Sequence, residues 1–211
     1  MLAGCAAHDP PPAAGGRPSP SATPTSGLAA ALIPAPPGMR LAYGPEYGAY
    51  GSLQATQRGL AALRQAKLDR PQCAMSGQLD ATVPEIGKAP AAVVAFVSDK
   101  LSITQALVAL PPGKAALPPP VAKECRSYHA TIGDAQVRYT TEQVRAPRLG
   151  AESRAFVTTT SGGGRRLQIG AGMVRHRNVV MTILLVGSTI KPADLRRNIA
   201  DAYERLAKVV K

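Results

Sequence analysis

Residues 153–186 read SRAFVTTTSGGGRRLQIGAGMVRHRNVVMTILLV, and this stretch decides the fold. Ser153–Thr160 predicts a strand. Ser161-Gly162-Gly163-Gly164 is the turn signal of a hairpin. Arg166–Val174 returns with Leu167, Ile169, Ala171 and Met173 on its inward face. His176-Arg177-Asn178 makes the next turn. Val179–Val186 is apolar on both faces, as a central strand is. Three antiparallel strands follow one another without a crossover, which is a meander.

The pattern extends both ways. Upstream, Gln136–Val144 keeps the period of two, with Val137, Tyr139 and Thr141 on one face. Downstream, Lys191-Pro192 opens a helix with the apolar stripe Leu195, Ile199, Ala202, Leu206 and Val209. Ala91–Ser98 and Ser102–Leu110 predict two more strands, the second stopped by Pro111 and Pro112. Pro118–Pro120 predicts the start of a helix running to about His129. Leu53–Lys67 has helical spacing, with Leu60, Leu63 and Ala66 on one side. Tyr43, Tyr47 and Tyr50 sit in a Gly-rich stretch and pack the incoming chain onto the core. The expectation is one α+β domain over 39–211: an antiparallel meander sheet with helices packed on one face. Aromatics are only 4% and Trp is absent, so Ala, Val and Leu must build the core.

The N-terminal part differs. Leu2-Ala3-Gly4-Cys5 has the form of a bacterial lipobox, so 1–5 carries Cys5 as the acyl acceptor. Residues 6–38 hold nine prolines, with only Asp9 and Arg17 charged. Such a composition cannot bury enough apolar surface to offset ordering entropy, which predicts a disordered tether over 6–38, although Leu28–Ile33 reads as a short apolar turn or helix ended by Pro34. Two acyl chains give stable membrane attachment where one is marginal. The expected location is therefore the extracytoplasmic face of the cell membrane. No apolar run approaches the length of a membrane span.

With Cys5 set aside, two of the three cysteines remain. Cys73 and Cys125 can pair in only one way, and a disulfide suits an exported protein. The rival reading joins Cys125 to His129, four apart on the expected helix, as metal ligands or a thiol–imidazole pair. Two such ligands without acidic neighbours make a poor metal site, and no cofactor is expected.

Charge narrows the partners. Residues 126–211 carry 15 Lys and Arg against 6 Asp and Glu, within a net charge of +12. Such a field favours anionic partners: phospholipid head groups or wall polymers. The lipobox and the lack of interleaved aromatics argue against nucleic acid. Arg138, Arg154 and Arg175, with Tyr139, are the expected ligand contacts. Enzymatic motifs are lacking. There is no Gly-x-Ser-x-Gly elbow, and the glycines at 162–164 and 170–172 precede no helix N-terminus that would hold phosphate. The acidic residues show no close inward pair of the kind a glycosidase uses.

The order of elements resembles a family of actinobacterial, mycobacterial-type cell-envelope lipoproteins related to the extracytoplasmic sensor domain of membrane Ser/Thr kinases. The residues that carry the resemblance are a helix before Cys73, a strand resembling ITQALVALP (103–111), a helix carrying Cys125, a four-strand meander and the closing helix 192–210. The chain lacks the tryptophan one turn before the second cysteine, and it lacks a cysteine in Leu185–Ser188. The resemblance implies an α+β fold with a cleft, a disulfide and a ligand. Kinase activity itself is excluded, because no Gly-rich ATP loop or catalytic-loop motif is present. The combined expectation is a tethered, non-enzymatic lipoprotein binding an anionic ligand or lipid. The alternative is an interaction module for an envelope protein complex.

Overall fold

The computed structural model describes residues 24–211. In chain order the elements are α1 (Pro24–Ala31), β1 (Arg40–Ala49), α2 (Gln54–Gln65), β2 (Ala66–Leu68), α3 (Pro84–Gly87), β3 (Pro90–Val97), β4 (Leu101–Ala109), β5 (Ser127–Ile132), β6 (Ala135–Val144), β7 (Glu152–Gly162), β8 (Arg165–His176), β9 (Val179–Gly187) and α4 (Pro192–Val209). The strands form one sheet of nine in the order β1-β3-β4-β9-β8-β7-β6-β5-β2. Every neighbouring pair is antiparallel. The fold is α+β.

The expected meander β6-β7-β8-β9 is present with unbroken register. Its β7–β8 turn is Gly163-Gly164, at φ of 56° and 73°, a conformation that glycine takes without strain. β9 lies between β4 and β8, and both of its faces are covered: Val179, Met181, Ile183 and Leu185 enter one core cluster and Val180 and Leu184 the other, which is why its apolar residues run without alternation.

α4 and α1 pack directly on one face. Leu195, Ile199, Ala202 and Leu206 of α4 are fully buried, the Leu and Ile side chains contributing about 1.5–3 kcal/mol each and the Ala202 methyl less. Val209, at the end of the expected stripe, is 37% exposed. α4 comes close to the sheet over Gly170 and Gly172 of β8. A Cβ at Gly170 would lie 2.8 Å from Cγ2 of Ile190, and one at Gly172 would overlap the Ile199 side chain. The two glycines form a furrow for the helix.

Two expectations need correction. The chain does not remain a tether to residue 38. α1 buries Leu28 and Ala31, Leu32 follows them into the core, and the Ile33 N–H donates to Gln105 Oε1 at 2.7 Å. The four apolar residues Leu28, Ala31, Leu32 and Ile33 outweigh the surrounding prolines. Cys5 and residues 6–23 lie outside the described residues. Nor is there a helix over 118–129. A short 3₁₀ turn, Lys123–Arg126, holds Cys125, and β5 follows. Tyr128 and Ala130 of β5 pair with Tyr139 and Val137 of β6, across a turn at Gly133-Asp134. The alternation of Ser127–Ile132 and the glycine at φ 58° select the hairpin over the helix. The tyrosine stretch is likewise a strand, β1, at the sheet edge, bulged around Tyr43.

Candidate functional site

The face of the sheet opposite α4 carries α2, which stands off the strands instead of packing on them. None of its residues is buried. Its N-terminus is held from β1, where Glu46 Oε2 accepts the Ala55 N–H at 3.2 Å, a favourable place for an anion. Beneath it the strands present small side chains: Ala106 of β4, Ala171 of β8 and Thr182 of β9. The helix faces them with Thr56 and Gly59. The space between becomes a cleft.

The cleft has two adjoining lobes. The first, about 200 Å³, lies among Tyr43, Tyr50, Leu60, Met75 and Leu184. The second, about 270 Å³, lies under Leu63 and the Cys73–Cys125 pair, with Phe156 and Tyr139 in its wall. Gly59, Gln78, Ala171 and Leu184 belong to both, so the lobes are continuous. No charged side chain lines either one.

Cys73 and Cys125 are bonded, with S–S of 2.00 Å and Cα atoms 5.3 Å apart. Both are buried. The bond ties the segment after α2 to the start of β5 and holds the second lobe's rim. Arg70 reinforces it by donating to the Glu124 carbonyl. Tyr128 and Tyr139 stack beside it, with centroids 4.9 Å apart and planes within 1°. Burial, with Tyr139 and Asp69 nearby, pushes the Tyr128 phenol up to about 12. Burial also raises the Tyr50 phenol. The hydroxyls of Thr141 and Thr158 satisfy one another at 2.9 Å. The cleft therefore offers apolar contact with a few neutral hydroxyl and amide groups. No carboxylate, imidazole, amine or free thiol lines it. Among the described residues no group of three His, Cys, Asp or Glu could hold a metal.

The expected contacts are not brought together here. Tyr139 lines the second lobe. Arg138 is exposed on the other face of β6, paired with Ser161 near the far end of β7. Arg154 is engaged by Glu152 and the Pro118 carbonyl. Arg175 lies on β8 opposite Glu152, with its Nε buried and without a hydrogen-bond partner. His129 is on a strand, with Nδ1 3.3 Å from Asp69 Oδ2. Its backbone N–H to that carboxylate is the main cause of the lowered Asp69 pKa. Cys125 is consumed by the disulfide, so the thiol–imidazole pairing with His129 falls. The small residues Ala106, Ala171 and Thr182 open the cleft, and nothing in the alternation of their strands marks them as a site.

No known family description matches the chain, and no curated protein matches it in sequence. Among solved structures it is similar to the extracellular domain of PknH from Mycobacterium tuberculosis. The TM-score is 0.57 at 15% identity, covering 88% of this chain and 97% of that one. It is also similar to a putative uncharacterized protein from Mycobacterium smegmatis, with TM-score 0.51 at 12% identity, covering 81% and 90%. The resemblance to kinase extracytoplasmic domains thus holds at the level of fold.

Proposed function

We propose that this protein is a non-enzymatic lipoprotein of the extracytoplasmic membrane face, anchored at Cys5, whose cleft beneath α2 binds a lipid-like ligand. The observation that carries the reading is the uncharged lining of both lobes. A free anion in that cleft would lose its hydration without gaining a countercharge, whereas an acyl chain loses nothing. Of the two ligand classes the sequence suggests, the lipid fits the cleft and the small anion does not. Supporting the location are the lipobox at Leu2–Cys5, a disulfide of the kind that oxidising compartments keep, and a fold like that of an extracellular domain. Of the exposed large apolar residues, Leu41 and Tyr47 share the edge strand β1, while Val83, Ile132, Leu167 and Val209 stand singly along the chain, which leaves the alternative interaction module little apolar surface to use.

The test is mass spectrometry of organic extracts from protein purified from its own host. An acyl-bearing species should accompany the wild type and be absent from Ala171→Trp, which fills the junction of the lobes. Extracts that are repeatedly empty for both overturn the ligand reading. The intact mass of the same preparation reads the diacylglyceryl group on Cys5.

A further inference from the structure

We propose that the end of the sheet built from the β6–β7 loop and the β8–β9 hairpin is a docking surface for the anionic head groups of a phospholipid bilayer. Arg145, Arg148, Arg175 and Arg177 carry it. The loop and the hairpin are fastened together: the Ala151 N–H donates to the Arg175 carbonyl at 2.9 Å, and a Cβ on Gly150 would collide with that same carbonyl. Four arginines from two segments therefore share one end of the sheet.

These arginines are not spent on the fold. Arg145, Arg148 and Arg177 are exposed. None of the four is in an ion pair among the described residues. The Arg175 Nε is buried with no acceptor. Arg177 occupies φ 55°, and among the described residues it is the one non-glycine with positive φ. Gly or Asn would sit there at lower cost, so the guanidinium is kept against a backbone penalty. Three acidic groups lie near this end, and Glu142 of β6 is exposed and in no ion pair among the described residues. Glu152 is held by Arg154, and Glu85 shares a shallow groove with Lys88.

The arrangement fits a plane of phosphates better than a single small anion. None of the four arginines lines any of the clefts described. A small ligand would have nothing to enclose it, whereas a bilayer presents many phosphates to charges spread over two loops. The field of a chain with net charge +12 adds attraction at longer range. The proposal does not depend on the cleft or on acylation of Cys5.

The test is sedimentation of the full, unacylated chain with vesicles of one part phosphatidylglycerol to two parts phosphatidylcholine, in low salt. Vesicles of phosphatidylcholine alone serve as reference. Arg148→Gln with Arg177→Asn should weaken binding about 30-fold, at about fivefold for each arginine near an anionic surface. Arg58→Gln with Arg64→Gln on α2 removes the same charge and should change binding less than twofold. Unchanged thermal unfolding of both doubles confirms that each is folded. Equal losses in the two doubles, or no preference for the anionic vesicles, overturn the proposal. Because the protein carries no acyl group, the result stands apart from whether Cys5 is an anchor.

Discussion

Removing the disulfide with Cys73→Ala and Cys125→Ala should cost the protein about 4 kcal/mol. The two cysteines are 52 positions apart. In the chain-entropy picture the cross-link removes about 2.1 + 1.5R ln n cal/mol/K from the unfolded ensemble, which for this loop is about 14 cal/mol/K, or about 4 kcal/mol at 25 °C. The sulfurs are buried, so their loss adds to this and does not offset it. Domains of this kind have about 5–15 kcal/mol in total, so the variant should still fold but with most of its margin gone. Urea unfolding followed by far-UV circular dichroism reads the effect. With a slope of about 2 kcal/mol/M, the midpoint should fall by about 2 M. The slope itself should rise, because an unfolded chain freed of its loop exposes more surface. The wild type in dithiothreitol should match the variant. A midpoint shift below about 0.5 M, on the same slope, would mean that the reduced chain keeps this loop closed by other contacts. The entropic reasoning would then fail for this protein.

Three more outcomes follow from the packing and the titrations. Gly172→Val drives a side chain into Ile199 and should cost about 1–3 kcal/mol; paired with Ile199→Ala, the two losses should sum to less than their separate values in a double-mutant cycle. Tyr128 is neutral when folded up to a value above that of the unfolded phenol. Its contribution is therefore complete below pH 10 and lost as pH rises through about 12. Absorbance at 295 nm should show two phenols fewer, Tyr128 and Tyr50, ionising near pH 10 in the folded wild type than in the unfolded chain, and Tyr128→Phe should shift the alkaline unfolding midpoint upward. Gln105→Leu removes the acceptor of the Ile33 N–H but also an amide Nε2 that has no partner, trading one buried orphan for another. Overall stability should change by less than about 1 kcal/mol, while amide exchange at Ile33 accelerates.

The meander was readable because β6 and β8 alternate, β9 is a bounded apolar run, and the turns between strands carry their own chemistry, as at Gly163-Gly164. The closing helix was readable because its stripe is apolar at every fourth or third position. The segment around Cys125 misled for a local reason. Prolines at 118–120 imitate a helix start, and only the pairing of Tyr128 with Tyr139 across Gly133-Asp134 reveals a hairpin. The disulfide could be paired by elimination, since one cysteine lay in the lipobox. The cleft could not be located in advance. Its walls come from α2, the Met75–Leu79 segment and strands β3 through β9, and what makes it a cleft is the smallness of Ala106, Ala171 and Thr182 as much as any group present. The arginines failed as a guide to it because charge marks a surface, and this site is an interior.

The docking of α1 has a mechanical consequence. β1 is an edge strand, and an edge strand pulled from its end unzips one hydrogen bond at a time. Here the chain ahead of β1 is first fastened by Leu28, Ala31 and Leu32 in the core, and by Ile33 to Gln105 of the interior strand β4. A tug on the chain before Pro24 must therefore shear a packed helix, with its load entering the middle of the sheet, before any force reaches β1. α1 acts as a strain relief, of the sort fitted where a cable enters its housing.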